Sequence, residues 1–287
     1  MRKTLFALLV LFIASCSKNN DEIIKGNTPP PDGTIDSATI DIYINKVYVN
    51  LIGREPIGNE KAQASALLKQ HNFSEVDRTQ FLDAFFTKPE YNRNLYNIVR
   101  IEYLNNLDSM EIEGEIGLYE YLQTQPEYAA YYDVIEAELV RMHAMRTVVS
   151  DMNSGALDYR NMLKRCTYNY FYDQINMGAE NYVVSTFQNY LFRYPTQSEL
   201  ENGKNMINGS NATLFLQIGN SKQDYTDIFF DSDDYYEGQA RYLFIKYMFR
   251  EPSSAEVSYY ANIYKSSNNY KLLQKTFFAT DEYAGLK

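Results

Sequence analysis

Val47-Tyr48-Val49-Asn50-Leu51-Ile52-Gly53-Arg54-Glu55-Pro56, with Glu60 four residues beyond the proline, is the first of three copies of one pattern. The others are Arg193-Tyr194-Pro195…Glu199 and Arg250-Glu251-Pro252…Glu256. Each follows an apolar, aromatic run and leads to a Phe-Phe-x-x-x-acid-Tyr block: Phe85-Phe86…Glu90-Tyr91, Phe229-Phe230…Asp234-Tyr235 and Phe277-Phe278…Glu282-Tyr283. Such recurrence specifies one supersecondary unit used again. The local chemistry is that of a helix stop and a helix start. In the third copy Ala240 to Phe249 reads as a helix with Arg250 in its last turn, where a cation faces the negative helix end. Pro252 ends it, and Ser253-x-x-Glu256 is a capping box for the next helix. Thr196-x-x-Glu199 repeats the box, while in the first copy Ile57 holds the cap position and Glu60 has no hydroxyl partner.

No stretch shows sustained alternation bounded by hairpin turns, and helical spacing recurs throughout. The expected fold is all-α, a helical repeat or bundle of about nine to eleven helices. The expected organisation is a signal peptide at 1–15, a lipidated cysteine with a Pro-rich tether at 16–40, and a helical repeat at 41–105. A helical insert at 106–180 and two further repeats at 181–236 and 237–287 complete it. Within the insert one helix is expected from Pro126 to about Met152, ended by a left-handed Gly155, and another from Leu157 to Met177, stopped by Gly178. Glu111 to Gly117 reads as an acidic loop or short turn.

An apolar helix, then Gly-Arg-x-Pro-x-x-x-Glu, a second helix and the closing Phe-x-x-Thr-x-Glu-Tyr-like block resembles the short helical repeat domain of bacterial secreted and surface proteins. That domain is similar in pattern to phycobilisome-linker modules. The opening also resembles that of planctomycete cytochrome-associated domains. The resemblance covers roughly residues 41–105 and 182–287. Phe192 and Phe249 stand where the family has glycine, and no Cys-x-x-Cys-His haem motif occurs. The resemblance implies binding or scaffolding and supplies no catalytic residue.

The first residues carry an address. Met1-Arg2-Lys3 is basic, and Leu5 to Ile13 is apolar but too short to span a bilayer. Ile13-Ala14-Ser15-Cys16 resembles a bacterial lipobox, which implies a lipidated Cys16 and a removed peptide before it. Acyl chains there would anchor the chain stably. A plain secretory signal with an incidental cysteine is the competing reading. Ser17 in place of aspartate resembles the outer-membrane sorting pattern, and Lys18 followed by Asp21-Glu22 resembles the surface-export signal of Bacteroidota lipoproteins. The expected location is therefore the outer membrane, at the cell surface or in its periplasmic leaflet. Asp36-Ser37-Ala38 and Asp108-Ser109-Met110 resemble that phylum's O-glycosylation sequon, making Ser37 and Ser109 candidate sites.

The formal net charge is −10, and loss of Arg2 and Lys3 takes it to about −12. So acidic a chain lacks the basic footprint that nucleic acid requires. Cys166 is the one cysteine left after lipidation, which excludes an intramolecular disulfide. Neither His71 nor His143 has a second histidine at zinc-ligand spacing. Asp231-Ser232-Asp233-Asp234 fails as a calcium loop, because tyrosines follow and no glutamate stands at the twelfth position. Glu111, Glu113 and Glu115 resemble a hydrolase pair only superficially. There is no phosphate loop, nucleophile elbow or dinucleotide turn, so no cofactor and no catalysis are expected.

The repeated arginines admit two readings. In one, each guanidinium pairs with the next helix's first-turn glutamate and locks the interhelix angle; in the other, three arginines present a ligand. The expected function is a non-catalytic, lipid-anchored helical interaction or scaffold protein of an envelope complex. Its partner would be an outer-membrane barrel, a transporter or a secretion assembly. The alternative is a glycan-binding accessory lipoprotein of a nutrient-uptake system, with Tyr131-Tyr132, Tyr168, Tyr170, Tyr172, Tyr235-Tyr236 and Tyr259-Tyr260 as stacking residues.

Overall fold

The structure is a computed structural model that describes residues 35–286, so Cys16 and the greater part of the tether lie outside the described residues. Asp36 caps the first helix through the amide of Ala38, so α1 (Ser37–Ile52) begins inside the segment assigned to the tether. The first repeat continues with α2 (Glu60–Leu68), α3 (Glu75–Asp83) and α4 (Pro89–Tyr103). The insert holds α5 (Ser109–Gln123), a 3₁₀ segment (Pro126–Tyr131), α6 (Tyr132–Arg146), α7 (Val148–Ser154), α8 (Tyr159–Thr167) and α9 (Tyr170–Ile175). The second repeat is α10 (Ala179–Thr186), a π turn (Phe187–Leu191), α11 (Gln197–Ile207) and α12 (Lys222–Asp231). The third is α13 (Asp233–Leu243), a π turn (Phe244–Met248), α14 (Ser254–Ser267), α15 (Tyr270–Phe278) and α16 (Asp281–Ala284). A hairpin of β1 (Ala212–Leu214) and β2 (Gln217–Gly219) joins α11 to α12; strands of three residues are too short to show a period in sequence.

The fold is all-α, with sixteen α-helices among the described residues rather than nine to eleven. Two expected helices are cut, one at a carbonyl taken by a side chain from another helix and one by a cap residue of its own. Arg165 of α8 binds the Ala144 carbonyl at 3.0 Å and Asp151 at 2.7 Å, taking a carbonyl at the break between α6 and α7. At the second cut the buried Asn169 donates to the Arg165 and Cys166 carbonyls and accepts from the amides of Phe171 and Tyr172, so one side chain ends α8 and starts α9. The acidic stretch from Glu111 is no loop. It lies within α5, where Asp108 and Glu111 form a capping box and Ile112 and Ile116 are buried one turn apart. Together these outweigh the cost of Gly114 and Gly117, about 1 kcal/mol each against alanine.

The three Arg-x-Pro turns share one backbone geometry. Gly53, Phe192 and Phe249 all adopt left-handed angles, at φ 73°, 57° and 56°. Before each phenylalanine the helix loosens into a π turn, so Arg250 sits just past the helix end and not in its last turn. A left-handed non-glycine residue costs about 1–2 kcal/mol. Phe249 is 88% exposed and has little packing to lose, so Phe249→Gly is expected to raise stability by about 1 kcal/mol in thermal melts. Phe192 stacks on Tyr242 at 5.7 Å, and its replacement should gain less.

The chain closes on itself. The Tyr43 hydroxyl of α1 donates to the Phe278 carbonyl at 3.1 Å, Lys46 to the Tyr283 carbonyl at 2.7 Å, and the Tyr91 hydroxyl to Gln274 at 2.7 Å. Asp36–Lys287 forms one unit in which the C-terminal repeat packs against the first. Sixteen of the 27 tyrosines are buried, which makes tyrosine a core residue here. Internal partners make that tolerable: Tyr190 pairs with Thr167 at 2.7 Å and Tyr225 with Thr186 at 2.6 Å.

Candidate functional site

The repeated arginines form three copies of one clamp. Arg54, Arg193 and Arg250 each bind the glutamate six residues on through two parallel hydrogen bonds: Glu60 at 2.7 and 2.9 Å, Glu199 at 2.8 and 2.7 Å, and Glu256 at 3.1 and 2.6 Å. Each also donates to the carbonyl of the next residue, Glu55, Tyr194 or Glu251. Each lies over the ring six residues before it, Tyr48 at 5.6 Å, Phe187 at 4.9 Å and Phe244 at 4.6 Å. The acid of the Phe-Phe block completes the clamp: Glu90 at 3.7 Å, Asp234 at 2.5 Å and Glu282 at 2.6 Å. Arg54, Arg193 and Arg250 thus tie a helix end, the next helix start and a third helix start. Pro56, Pro195 and Pro252 make the turns. The terminal guanidinium nitrogens of all three are engaged within the fold, so the geometry is that of a brace.

The clamps make a pH signature. The hydrogen bonds from Arg54 hold the Glu60 carboxyl at about 2, and those from Arg250 hold Glu256 at about 2, below the ordinary 4.5. Burial raises Glu199, but the Arg193 and Thr196 hydrogen bonds outweigh it and its pKa is lowered. A depressed folded pKa gives stability that is present above the unfolded value and lost as pH falls through the folded one. Melting temperature is therefore expected to fall between about pH 4.5 and about pH 2, with solvent contact trimming the amplitude. Glu256→Gln should melt lower near neutrality and show a shallower acid slope. An unchanged slope would contradict the brace.

The other candidate residues scatter. Ser37 and Ser109 are exposed first residues of α1 and α5, each preceded by an aspartate that caps the helix. His71 pairs with Asp77 at 2.7 Å beside the α3 cap, and His143 faces Glu120 at 3.7 Å. Ser232 caps α13, so the Asp231–Asp234 run marks a helix start. Glu111 caps α5, Glu113 binds Arg146 and Glu115 lies beside Tyr170, so these three acids serve separate roles. Cys166 is buried and its thiol is pushed up to about 12 by desolvation, which keeps it protonated and unreactive. Of the tyrosines proposed for stacking, Tyr172, Tyr235, Tyr236 and Tyr260 are buried and Tyr132, Tyr168 and Tyr170 half-buried. Tyr131 and Tyr259 are exposed, on different elements. Among the described residues no group of three metal-ligating side chains occurs, and no helix is long and apolar enough to cross a membrane.

Two surface features went unread in the sequence. The first is a stripe on α5. Met110, Gly114, Gly117, Leu118 and Tyr121 recur at helical spacing, all exposed and none charged, in a chain of net charge −10. Met110 is 78%, Leu118 48% and Tyr121 59% exposed, and nothing lies within 4 Å of where a side chain on either glycine would stand. The second is a cleft of about 620 Å³ between α4, the start of α5 and the α6–α7 junction. A smaller polar cleft of about 360 Å³ is lined by Asn92, Asp158, Asn268 and Asn269. Comparison with protein-family models, curated proteins and solved structures returned no match.

Proposed function

We propose that this chain is a non-catalytic helical interaction protein, anchored in the outer membrane by lipid on Cys16, displayed at the cell surface, and docked to an envelope protein through α5. The resemblance of its Arg-x-Pro units to bacterial surface repeats agrees with such a role. The uncharged stripe Met110–Gly114–Gly117–Leu118–Tyr121 carries the reading. Two exposed glycines in mid-helix weaken α5, yet they let another backbone approach closely between flanking Met110, Leu118 and Tyr121. A photo-crosslinking residue at position 118 in cells is expected to capture one stoichiometric envelope protein, and Gly117→Arg to abolish the adduct. A crosslink pattern matching that from exposed Ala137 would reject the proposal. Protease treatment of intact cells checks surface display, and radiolabelled palmitate checks Cys16.

The glycan-binding alternative finds support in the smaller cleft, whose amides and carboxylate suit hydroxyl groups. Asn268 is left-handed at φ 48°, so Asn268→Gly keeps the turn while removing the amide. Oligosaccharide binding lost in that variant would favour this alternative.

A further inference from the structure

The 620 Å³ cleft holds an unusual set of polar groups. Arg93, Tyr96, Asn97 and Arg100 fall at i, i+3, i+4 and i+7 of α4 and line it together. The side chains of Arg93, Tyr96 and Asn97 make no hydrogen bond or ion pair among the described residues. Arg100 donates through Nη1 to the Leu107 carbonyl at 2.6 Å, but its buried Nε has no partner. Arg93, Tyr96 and Asn97 thus line the cleft with no protein partner, and Arg100 with one. Donors that face a cleft without a protein partner can take a ligand acceptor in exchange for water.

The charges of the cleft select the ligand. Arg93, Arg100 and Arg146 oppose Asp108 and Glu113. Asp108 is engaged by the amides of Met110 and Glu111, and Glu113 by the guanidinium of Arg146. One positive charge remains in excess, on an otherwise acidic chain. Ile112, Met145 and Val149 supply an apolar wall. The volume is in the range of small-molecule sites, about 300–1,000 Å³. An excess of one charge matches a monoanion, guanidinium geometry matches a carboxylate, and the wall matches an organic body.

We propose that this cleft binds a small organic monocarboxylate, its carboxylate held by the guanidinium groups of Arg93 and Arg100 and its body against Ile112, Met145 and Val149. The site is separate from the proposed docking stripe, since Ser109, Ile112 and Glu113 line it while positions 110, 114, 117, 118 and 121 form the stripe.

The test follows arginine Nε–Hε resonances of the full chain while benzoate, hexanoate or glucuronate is added, with benzamide and inorganic phosphate as controls. At least one carboxylate should shift the Arg100 resonance saturably, and benzamide should not. Arg93 is exposed and unpartnered, so Arg93→Gln should fold with an unchanged melting temperature and bind about tenfold to a hundredfold more weakly. Absence of a saturable shift with all three carboxylates would overturn the proposal. So would equal affinity in Arg93→Gln, equal binding of benzamide, or binding of phosphate alone.

Discussion

Arg78→Ala is expected to lower the unfolding free energy by about 3–5 kcal/mol in a denaturant titration, a large share of a typical domain's stability. Arg78 is 1% exposed. Its Nε donates to the Ala279 carbonyl at 2.7 Å, Nη1 to the Phe73 carbonyl at 2.6 Å and Nη2 to Asp281 at 2.5 Å. The first and third bonds join α3 to the connection between α15 and α16 and to the first residue of α16, some two hundred residues away in sequence. The second holds the carbonyl of Phe73, a bulky residue in the left-handed region at φ 61°. Alanine would strand two carbonyls and open a cavity where the chain's ends meet. Arg78→Lys should recover little, because one ammonium cannot reproduce the three-way fork. A cost below about 1 kcal/mol would show that the ends are held by aromatic packing alone.

Gly238→Ala is the second substitution expected to be severe. Helix propensity alone would make it favourable by about 1 kcal/mol. Packing reverses the sign. A side-chain carbon at 238 would sit 2.0 Å from the Tyr190 carbonyl oxygen and 2.9 Å from the Leu191 Cα, where α13 crosses the π turn at 187–191. Both neighbours are backbone, so relief requires two helices to separate. Overpacking costs about 1–3 kcal/mol and sometimes more, and a backbone clash this short belongs at or beyond the upper end. Thermal melts should show a net loss of about 2 kcal/mol or more after the propensity gain is subtracted. Gly114→Ala and Gly117→Ala give the control. With open space around both positions they should each stabilise α5 by about 1 kcal/mol. Same change, same kind of element, opposite sign: the neighbour decides.

That contrast marks how much could be read from sequence. Capping boxes, a proline stop and a first-turn glutamate act within a few residues of chain, so the clamps' Arg and Glu were legible as spacing. The third member of each clamp was visible as the acid before a tyrosine, yet nothing local assigned it to an arginine some thirty to forty residues away. The break at Thr147 was not legible because Arg165, which satisfies it, comes from another helix, whereas the break at Asn169 is local, a cap residue within an otherwise helical pattern. The run from Glu111 was misread because its two glycines masked a capping box and a buried isoleucine pair. The cleft was invisible in sequence: Arg93 and Arg100 look like ordinary solvated charges until α5 and the α6–α7 junction are placed opposite them.

Sequence alone was enough to establish an all-α chain built on a thrice-used unit, with its proline turns and capping boxes, because those interactions are short-range and recur. Three-dimensional packing settled the closure of the last repeat onto the first, the burial of most tyrosines, the points where helices break and the polar groups left without partners. These depend on which surfaces exclude water from one another, and surfaces brought together across two hundred residues leave no periodic trace in the chain.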